Sequence, residues 1–449
     1  MRQGYGYTRA MSKLPADLLI ESAWLITGNG AETIERGAVV IADGRILDTG
    51  NIAAMTERYQ PADSHCLPNH LLAPGLINSH GHLAMNLLRG TAEDLPLQVW
   101  LADHIWPLEA RHVDADFVRD GVQLAMLEML RAGITCFSDM YFHPEVVAAE
   151  VASVGLRAQL AFPVLDMANI WSRNAEDAIH KGLALADRYR HDEKLQVAFG
   201  PHSVGTVNTE ALTKILMFSE ELDLKIQIHL HENAAEVAEN RRQLGVSGIE
   251  HLNRLGLLGP NLQAVHVTEI TAEEMELLRA ANVHVVHCPT SNAKLASGTC
   301  PVSQMLASGI NVALGTDSAA SNNRLSIIAE AHLATLMAKL DRQDAAALTA
   351  STALNMATIN GARALGLETE LGSLESGKWA DLIAVDTRAP ELQPLYDPIA
   401  TLIHTAADSH VSHVWVAGEC LLDAGTATRV DEAAILANVD RWHEQIRTA

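Results

Sequence analysis

The fold of this 449-residue chain is decided by the stretch Leu72-Ala73-Pro74-Gly75-Leu76-Ile77-Asn78-Ser79-His80-Gly81-His82, in which an apolar run gives way to polar residues. Such a run predicts a buried strand. Because side chains alternate faces along a strand, His80 and His82 point the same way and could bind one metal ion. The pair alone is weak evidence, since 21 histidines in 449 residues give about one His-x-His motif by chance.

Seven further apolar runs follow this stretch, and longer segments with helical spacing separate them. The predicted strands are residues 72–78, 134–140, 157–166, 195–201, 224–231, 262–267, 283–288 and 312–315. Eight strands that alternate with helices predict an α/β protein, a (β/α)8 TIM barrel. In that fold, functional residues gather at the carboxyl ends of the strands.

The flanks of the barrel segment have a different pattern, with short alternating apolar runs broken by glycines. These runs predict strands without intervening helices. We expect residues 1–73 and 373–449 to form one small β-sandwich, closed by a helix from about Asp431, and residues 74–372 to form the barrel. A chain of this length allows one large domain and one smaller one.

Composition limits the partners and the compartment. The formal charge of −23 argues against nucleic acid or an anionic membrane as a partner. No apolar run approaches the ~20 residues that cross a bilayer, and residues 1–16 lack the apolar stretch of a secretory signal. Five widely spaced cysteines predict reduced thiols in a cytoplasmic protein.

The predicted strand ends carry an unusual concentration of metal-binding and acid–base side chains. They are His80, His82, His202, His229, His231, Glu232, His266, His287 and Asp317. This clustering is the signal, more than the number of histidines. Because the carboxyl ends of barrel strands meet at one face, it predicts a metal-dependent hydrolytic site.

Several motifs resemble the amidohydrolase superfamily, and within it the mononuclear deaminases of 5-methylthioadenosine and S-adenosylhomocysteine. Besides the opening stretch, they are Leu87-Leu88-Arg89-Gly90, Ile105-Trp106-Pro107-Leu108-Glu109 and His287-Cys288-Pro289-Thr290-Ser291-Asn292. The resemblance covers nearly the whole chain. It implies hydrolytic deamination of an adenine nucleoside thioether to the inosine analogue plus ammonia.

The resemblance also implies a metal site formed by His80, His82, His229 and Asp317. Three imidazoles and a carboxylate suit Zn²⁺ or Fe²⁺, with one position left for water. Binuclear relatives have a lysine at the end of strand four, whereas this strand ends in Pro201 without one. We therefore expect one metal ion.

Three catalytic residues follow from the same resemblance. Asp317 and His266 are expected to orient or deprotonate the water, and Glu232 to protonate the purine ring. Strand geometry does not choose between His229 and His231 as the ligand. The family pattern chooses His229, because it puts Glu232 three residues further on.

Substrate binding is implied for Glu109, on the ribose hydroxyls, and for His202, on the base. A carboxylate has acceptor oxygens for both hydroxyls of a diol. Relatives that act on S-adenosylhomocysteine use arginines after strand three, and Phe162 stands at about one of those positions. Arg173 remains as the candidate in the following loop. This departure favours methylthioadenosine, whose thioether end is uncharged.

Other functions remain open at this point. The same site could dechlorinate or deaminate s-triazines, or deaminate guanine or cytosine, although these substrates have no diol for Glu109. A catalytically inactive scaffold would be expected to lack metal ligands. The resemblance is compatible with a homodimer, and a small nucleoside is the expected partner. The preferred substrate, the metal and the oligomeric state are left undetermined.

Overall fold

The computed structural model describes residues 13–28, 30 and 33–448. The prediction that the amino terminus holds no secretory signal concerns residues 1–16, of which residues 1–12 lie outside the described residues. The strands are β1 Leu14–Ile26, β2 Thr33–Glu35, β3 Gly37–Ala42, β4 Arg45–Asn51, β5 Tyr59–Pro74, β6 Leu76–Gly81, β7 Ile134–Asp139, β8 Arg157–Val164, β9 Leu195–Pro201, β10 Ile226–Leu230, β11 Leu262–His266, β12 His284–His287, β13 Asn311–Leu314, β14 Leu382–Asp386, β15 Val411–Val416, β16 Glu419–Asp423 and β17 Thr426–Ala427.

Helices separate the strands from β6 to β13, and further helices lie in the segments before and after them. The α-helices are α1 Ile52–Arg58, α2 Leu97–Val99, α3 Trp106–His112, α4 Ala115–Arg131, α5 Pro144–Val154, α6 Ala175–Tyr189, α7 Thr209–Leu222, α8 Ala234–Leu244, α9 Gly248–Leu255, α10 Ala272–Ala280, α11 Pro289–Lys294, α12 Val302–Ser308, α13 Ala319–Asn322, α14 Ile327–Arg342, α15 Ala350–Ala357, α16 Ile359–Leu365, α17 Pro398–His404 and α18 Glu432–Arg447. A 3₁₀ segment, Leu83–Leu88, follows β6, and a π-helical turn, Trp100–Ile105, joins α2 to α3.

Strands β6 to β13 form one eight-stranded parallel sheet in chain order. A parallel bridge between Gly81 and Asp317 joins the end of the first strand to the segment after the last. The sheet is therefore a nearly closed barrel, with helices between its strands, and the predicted (β/α)8 fold is confirmed. The observed strand ends differ from the predicted ones by one to a few residues.

The opening apolar stretch belongs to two sheets. Leu72 pairs with Leu25 of β1 and with Ala384 of β14, whereas Leu76 already pairs with Ile134 in the barrel. The division falls at Gly75, where a Cβ atom would lie 2.1 Å from Thr135 Oγ1. The prediction of one strand over residues 72–78 is therefore wrong, because strand pairing and not hydropathy sets the boundary.

Both chain ends contribute to a second, mixed sheet of nine strands. Its order is β17-β16-β15-β14-β5-β1-β3-β4, with β2 paired to β1. The predicted smaller β-domain built from both chain ends is thus confirmed. Helix α18 packs on α4 of the barrel, where the buried Asp120 accepts a hydrogen bond from Trp442 Nε1 at 2.9 Å. The proposed domain limits at residues 73 and 372 stay a prediction.

Two further expectations concern the chain as a whole. All five cysteines are free thiols, in agreement with the expected reduced state. Among the described residues, the structure contains no helix with the length and apolar character that a membrane span requires.

Candidate metal centre and active site

Three imidazole rings converge at the mouth of the barrel. His80 lies near the end of β6, His82 follows that strand, and His229 lies near the end of β10. The Nε2 atoms of His80 and His229 are 3.3 Å apart. One nitrogen of each of the three rings lies within 4.8 Å of the others, so that these residues could hold a metal ion.

The protonation of the three rings is set by their other nitrogen. Each Nδ1 atom faces a carbonyl oxygen, which can only accept a hydrogen bond. The three contacts are His80 Nδ1–Gln227 Oε1 at 2.8 Å, His82 Nδ1–Met140 O at 2.5 Å and His229 Nδ1–His202 O at 2.8 Å. Each Nδ1 therefore carries a proton, and Nε2, which faces the other rings, is the atom that can offer a lone pair to a metal ion. This arrangement fits a bound divalent cation.

Asp317 supplies a carboxylate to the same point. Its Oδ1 lies 3.3 Å from His82 Nε2 and 3.6 Å from His80 Nε2. Its Oδ2 accepts hydrogen bonds from Ser291 Oγ at 2.6 Å and Ser321 Oγ at 3.1 Å. Burial opposes ionisation, but the two facing imidazoles hold the pKa of Asp317 well below its ordinary value. Asp317 is therefore an anion among the imidazole nitrogens.

Glu232 and His266 lie beside this cluster, and burial shifts their pKa values in opposite directions. Burial, reinforced by the charges of Asp317 and Glu236, raises the pKa of Glu232 to about 8. Burial lowers the pKa of His266 to about 4. At neutral pH the glutamate is thus protonated and the imidazole neutral. The two side chains approach to 3.9 Å, and the His266 ring stacks on that of His229 with centroids 5.6 Å apart.

Four residues at these strand ends adopt a positive φ, namely His231, His266, Val267 and Asp317. Such backbone strain in residues other than glycine is concentrated at functional sites. His231, however, turns away from the cluster. Its Nδ1 donates to Glu269 O at 2.7 Å, and its Nε2 accepts from Ile249 N at 3.2 Å. The geometry therefore brings His229, and not His231, to the other two rings.

Glu109 and His202 border the cluster on two sides. Glu109, on α3, accepts a hydrogen bond from Tyr141 OH at 2.7 Å, and the Tyr141 ring lies 6.4 Å from that of His82. Burial raises the pKa of Glu109. The His202 ring lies 5.0 Å from that of His229, and burial lowers the pKa of His202 to about 4. Both candidates for substrate binding are close to the cluster.

The structure does not bring Arg173 to the cluster. Its side chain is 85% exposed and pairs with Asp177 at 2.8 Å. Phe162 is buried on the outer face of β8, where it packs on Phe199 and lies so close to Gly182 that a Cβ there would be 2.2 Å from its ring. An arginine at position 162 would point into the helix layer. Position 162 therefore does not face the cluster, and the preference for methylthioadenosine stays a prediction.

Sequence reasoning missed several residues of the site. Tyr141 follows a barrel strand directly, as the predicted site residues do, and this position was a usable signal. Gln227 is an amide between the apolar residues Ile226 and Ile228 of β10, which is an equally visible sign of a function inside the barrel. Asn292 Nδ2 lies 3.0 Å from His266 Nδ1, but the motif that contains Asn292 did not indicate this role.

Comparisons with known proteins agree with this geometry. The sequence model of the amidohydrolase family matches residues 71–421. A 5-methylthioadenosine/S-adenosylhomocysteine deaminase of Saccharophagus degradans is 46% identical over 437 residues, 97% of this chain and 98% of that protein. A 5'-deoxyadenosine deaminase of Methanothermobacter thermautotrophicus is 39% identical over 415 residues, 92% of this chain and 96% of that protein. A crystal structure of an adenosine deaminase from Xanthomonas campestris with bound zinc has a TM-score of 0.96 and 41% identity, over 98% of this chain and 100% of that chain.

Proposed function

The chain belongs to the amidohydrolase family and is a hydrolase that acts on carbon–nitrogen bonds, and from this premise we propose that it deaminates adenine nucleosides substituted at the 5' position. The substrates are the thioethers 5-methylthioadenosine and S-adenosylhomocysteine, and beside this class the parent nucleoside adenosine. The products are the inosine analogue and ammonia. One observation carries the proposal: a buried, protonated Glu232 lies beside three converging imidazoles and an ionised Asp317.

A divalent metal is supported by the family and by the donor set, and we assign zinc to it. His80, His82, His229 and Asp317 would hold the ion, since imidazoles and one carboxylate suit zinc. When bound, the ion acidifies a water molecule and so supplies the nucleophile at neutral pH. A single ion is supported by strand β9, which ends in Pro201 and carries no lysine there.

Different residues around the metal site carry out the separate proton transfers. Glu232, protonated below pH 8, donates to the ring nitrogen beside the amine-bearing carbon and makes that carbon electrophilic. His266, neutral at physiological pH, and Asp317 orient the attacking water, and one of the two takes its proton. Glu232 or Asp317 then protonates the departing nitrogen, which leaves as ammonia.

The residues that border the metal-binding cluster select the nucleoside. Glu109, whose carboxylate is already held by Tyr141, accepts hydrogen bonds from the ribose hydroxyls. His202 contacts the base. Arg173, on the exposed rim, is assigned to the charged end of S-adenosylhomocysteine. Triazines, guanine and cytosine lack a diol, so that Glu109 favours a nucleoside over these alternatives.

The proposal is tested by incubating the zinc-loaded protein with methylthioadenosine, S-adenosylhomocysteine, adenosine, free adenine, guanine and a chlorotriazine. We expect ammonia release and the adenine-to-hypoxanthine absorbance change with the nucleosides only. Absence of ammonia with every adenine nucleoside would overturn the proposal. A chelator should remove the activity and added zinc restore it, whereas full activity after verified metal removal would exclude the metal-dependent mechanism.

A further inference from the structure

The barrel interior holds a layer of glutamines beneath the metal-binding rings. The layer consists of Gln159, Gln196, Gln227 and Gln263, one from each of the consecutive strands β8 to β11. Gln159 pairs in register with Gln196, and Gln227 with Gln263. Gln159, Gln227 and Gln263 are at most 1% exposed. Burying an amide costs free energy unless its polar atoms form hydrogen bonds. The layer is therefore expected to be held by specific hydrogen bonds.

The hydrogen bonds between these glutamines are donated in one order, from Gln227 to Gln263 and from Gln263 to Gln159. At the foot of the layer, Gln263 Nε2 donates to the backbone oxygen of Ala364 at 2.8 Å, near the end of α16. The same nitrogen donates to Gln159 Oε1 at 2.7 Å, and Gln227 Nε2 donates to Gln263 Oε1 at 2.6 Å. A backbone carbonyl only accepts hydrogen bonds. It therefore fixes the amide of Gln263 with its oxygen toward Gln227.

The orientation of the Gln263 amide fixes that of the Gln227 amide, which contacts the His80 ring. Gln227 Nε2 also lies 3.0 Å from both Ser79 O and Ser138 Oγ, so that the nitrogen faces three acceptors. A reversed amide would place Oε1 against Ser79 O and Gln263 Oε1. In the observed orientation Oε1 faces His80 Nδ1 at 2.8 Å. The proton of His80 is thereby held on Nδ1, and its lone pair on Nε2.

We propose that Gln227 is a positioning residue that holds His80 in the tautomer able to bind the metal, with Gln263 fixing the amide from below. The inference rests on the proposed function, in which His80 is a ligand. His82 and His229 are held instead by backbone carbonyls. Of the three rings, His80 is therefore the one whose tautomer depends on a side chain and can be changed by a substitution.

The test measures the metal affinity of the intact protein in competition with a chromophoric zinc chelator, so that it does not depend on deamination. Gln227→Met keeps the shape but removes the acceptor, and we expect zinc to bind about 10- to 100-fold more weakly. Gln227→Glu keeps one oxygen against His80 and, when its buried carboxyl is protonated, can direct the O–H toward Ser79 O or Gln263 Oε1, so it should restore affinity to within about threefold of the wild type. Gln196→Met is the matched control, because Gln196 is half-buried in the same layer but makes no contact with His80.

Two further measurements separate positioning from loss of structure. Gln263→Met leaves Gln227 in place but removes the acceptor below it, and a smaller loss of zinc affinity is expected. In nitrogen-15 spectra of histidine-labelled protein, the His80 proton should be on Nδ1 in the wild type and in Gln227→Glu, and should redistribute in Gln227→Met. Unchanged zinc affinity in Gln227→Met and Gln263→Met, or an equal loss in Gln196→Met, would overturn the inference. Zinc binding without nucleoside deamination would instead contradict the proposed function.

Discussion

The charge states of single residues show how one pocket can hold an acid, a base and an anion together. Glu232 keeps its proton up to about pH 8, His266 is neutral above about pH 4, and Asp317 stays ionised. Burial acts on all three groups, but among them only Asp317 has two imidazole nitrogens within 3.6 Å of its carboxylate. Neighbouring groups whose environments drive their pKa values apart are typical of acid–base catalysis.

The pH dependence of turnover follows from the state of Glu232. A raised pKa means that the proton is bound below about pH 8 and lost above it. We therefore expect kcat/KM to fall as the pH rises through about 8, and Glu232→Gln to lower it by about 10²- to 10⁴-fold. Glu236→Gln removes a charge that raises the pKa of Glu232, so its alkaline limb should move to lower pH. An alkaline limb at the same pH in all three proteins would contradict this assignment.

Glu109 is the proposed partner of the ribose hydroxyls, and its substitution tests this role. Glu109→Gln replaces one of the two acceptor oxygens, and we expect kcat/KM for methylthioadenosine to fall about 10- to 100-fold. Tyr141→Phe, which removes only the hydroxyl that orients this carboxylate, should have a smaller effect. Steady-state kinetics with methylthioadenosine measures both variants. If Glu109→Gln retains wild-type kinetics, the ribose hydroxyls are bound elsewhere.

At the scale of elements, the position of His82 depends on the packing of helix α4. The segment Leu83–Leu88 follows His82 and lies against α4 so closely that a Cβ at Gly121 would be 2.4 Å from Ala84 O. Neither residue belongs to the site. Even so, the helix determines where the chain can run after the second imidazole.

Gly121→Ala should therefore disturb both stability and metal binding. A methyl group there forces the two segments apart, and overpacking of this kind costs about 1 to 3 kcal/mol in the free energy of unfolding. Zinc affinity should also fall, because the shifted segment begins at His82. Gly259→Ala is the control, since nothing lies within 4 Å of a Cβ at that position. Urea unfolding and chelator competition measure the two effects, and equal results for both variants would refute the argument.

For the whole molecule, a buried ion pair joins the barrel to the second sheet. Arg157, at the start of β8, donates from Nε to Asp381 Oδ2 at 2.7 Å, and both side chains are at most 5% exposed. Asp381 lies next to β14, and its backbone oxygen accepts a hydrogen bond from Gly75 N at 3.0 Å. The pair therefore lies where the chain crosses from one sheet to the other.

Arg157→Met should destabilise the whole molecule. It leaves the carboxylate of Asp381 buried without its partner, which costs about 3 to 5 kcal/mol in the free energy of unfolding. Arg173→Met breaks a surface pair whose arginine is 85% exposed, and it should leave the unfolding transition nearly unchanged. Urea denaturation followed by circular dichroism compares the two variants. A loss no larger in Arg157→Met than in Arg173→Met would show that the buried pair does not hold the two parts together.

Much of the fold was predictable because the period of the apolar runs is a local property. The eight barrel strands and the β-rich flanks were recognised from that period. The division at Gly75 was not, because Leu72 and Leu76 are equally apolar and only their pairing partners differ. The outward direction of the Phe162 side chain was not predictable for a related reason, since the face of β8 on which it lies depends on the closed barrel.

The sequence alone determined the barrel and the residues that meet at its mouth, because strand ends and alternating side chains are encoded locally. Tertiary structure alone decided that His231 turns away from the cluster, that Glu232 is protonated, and that a chain of buried amides holds the tautomer of His80. These properties depend on burial and on distances between strands far apart in the chain. Neither quantity exists until the barrel closes.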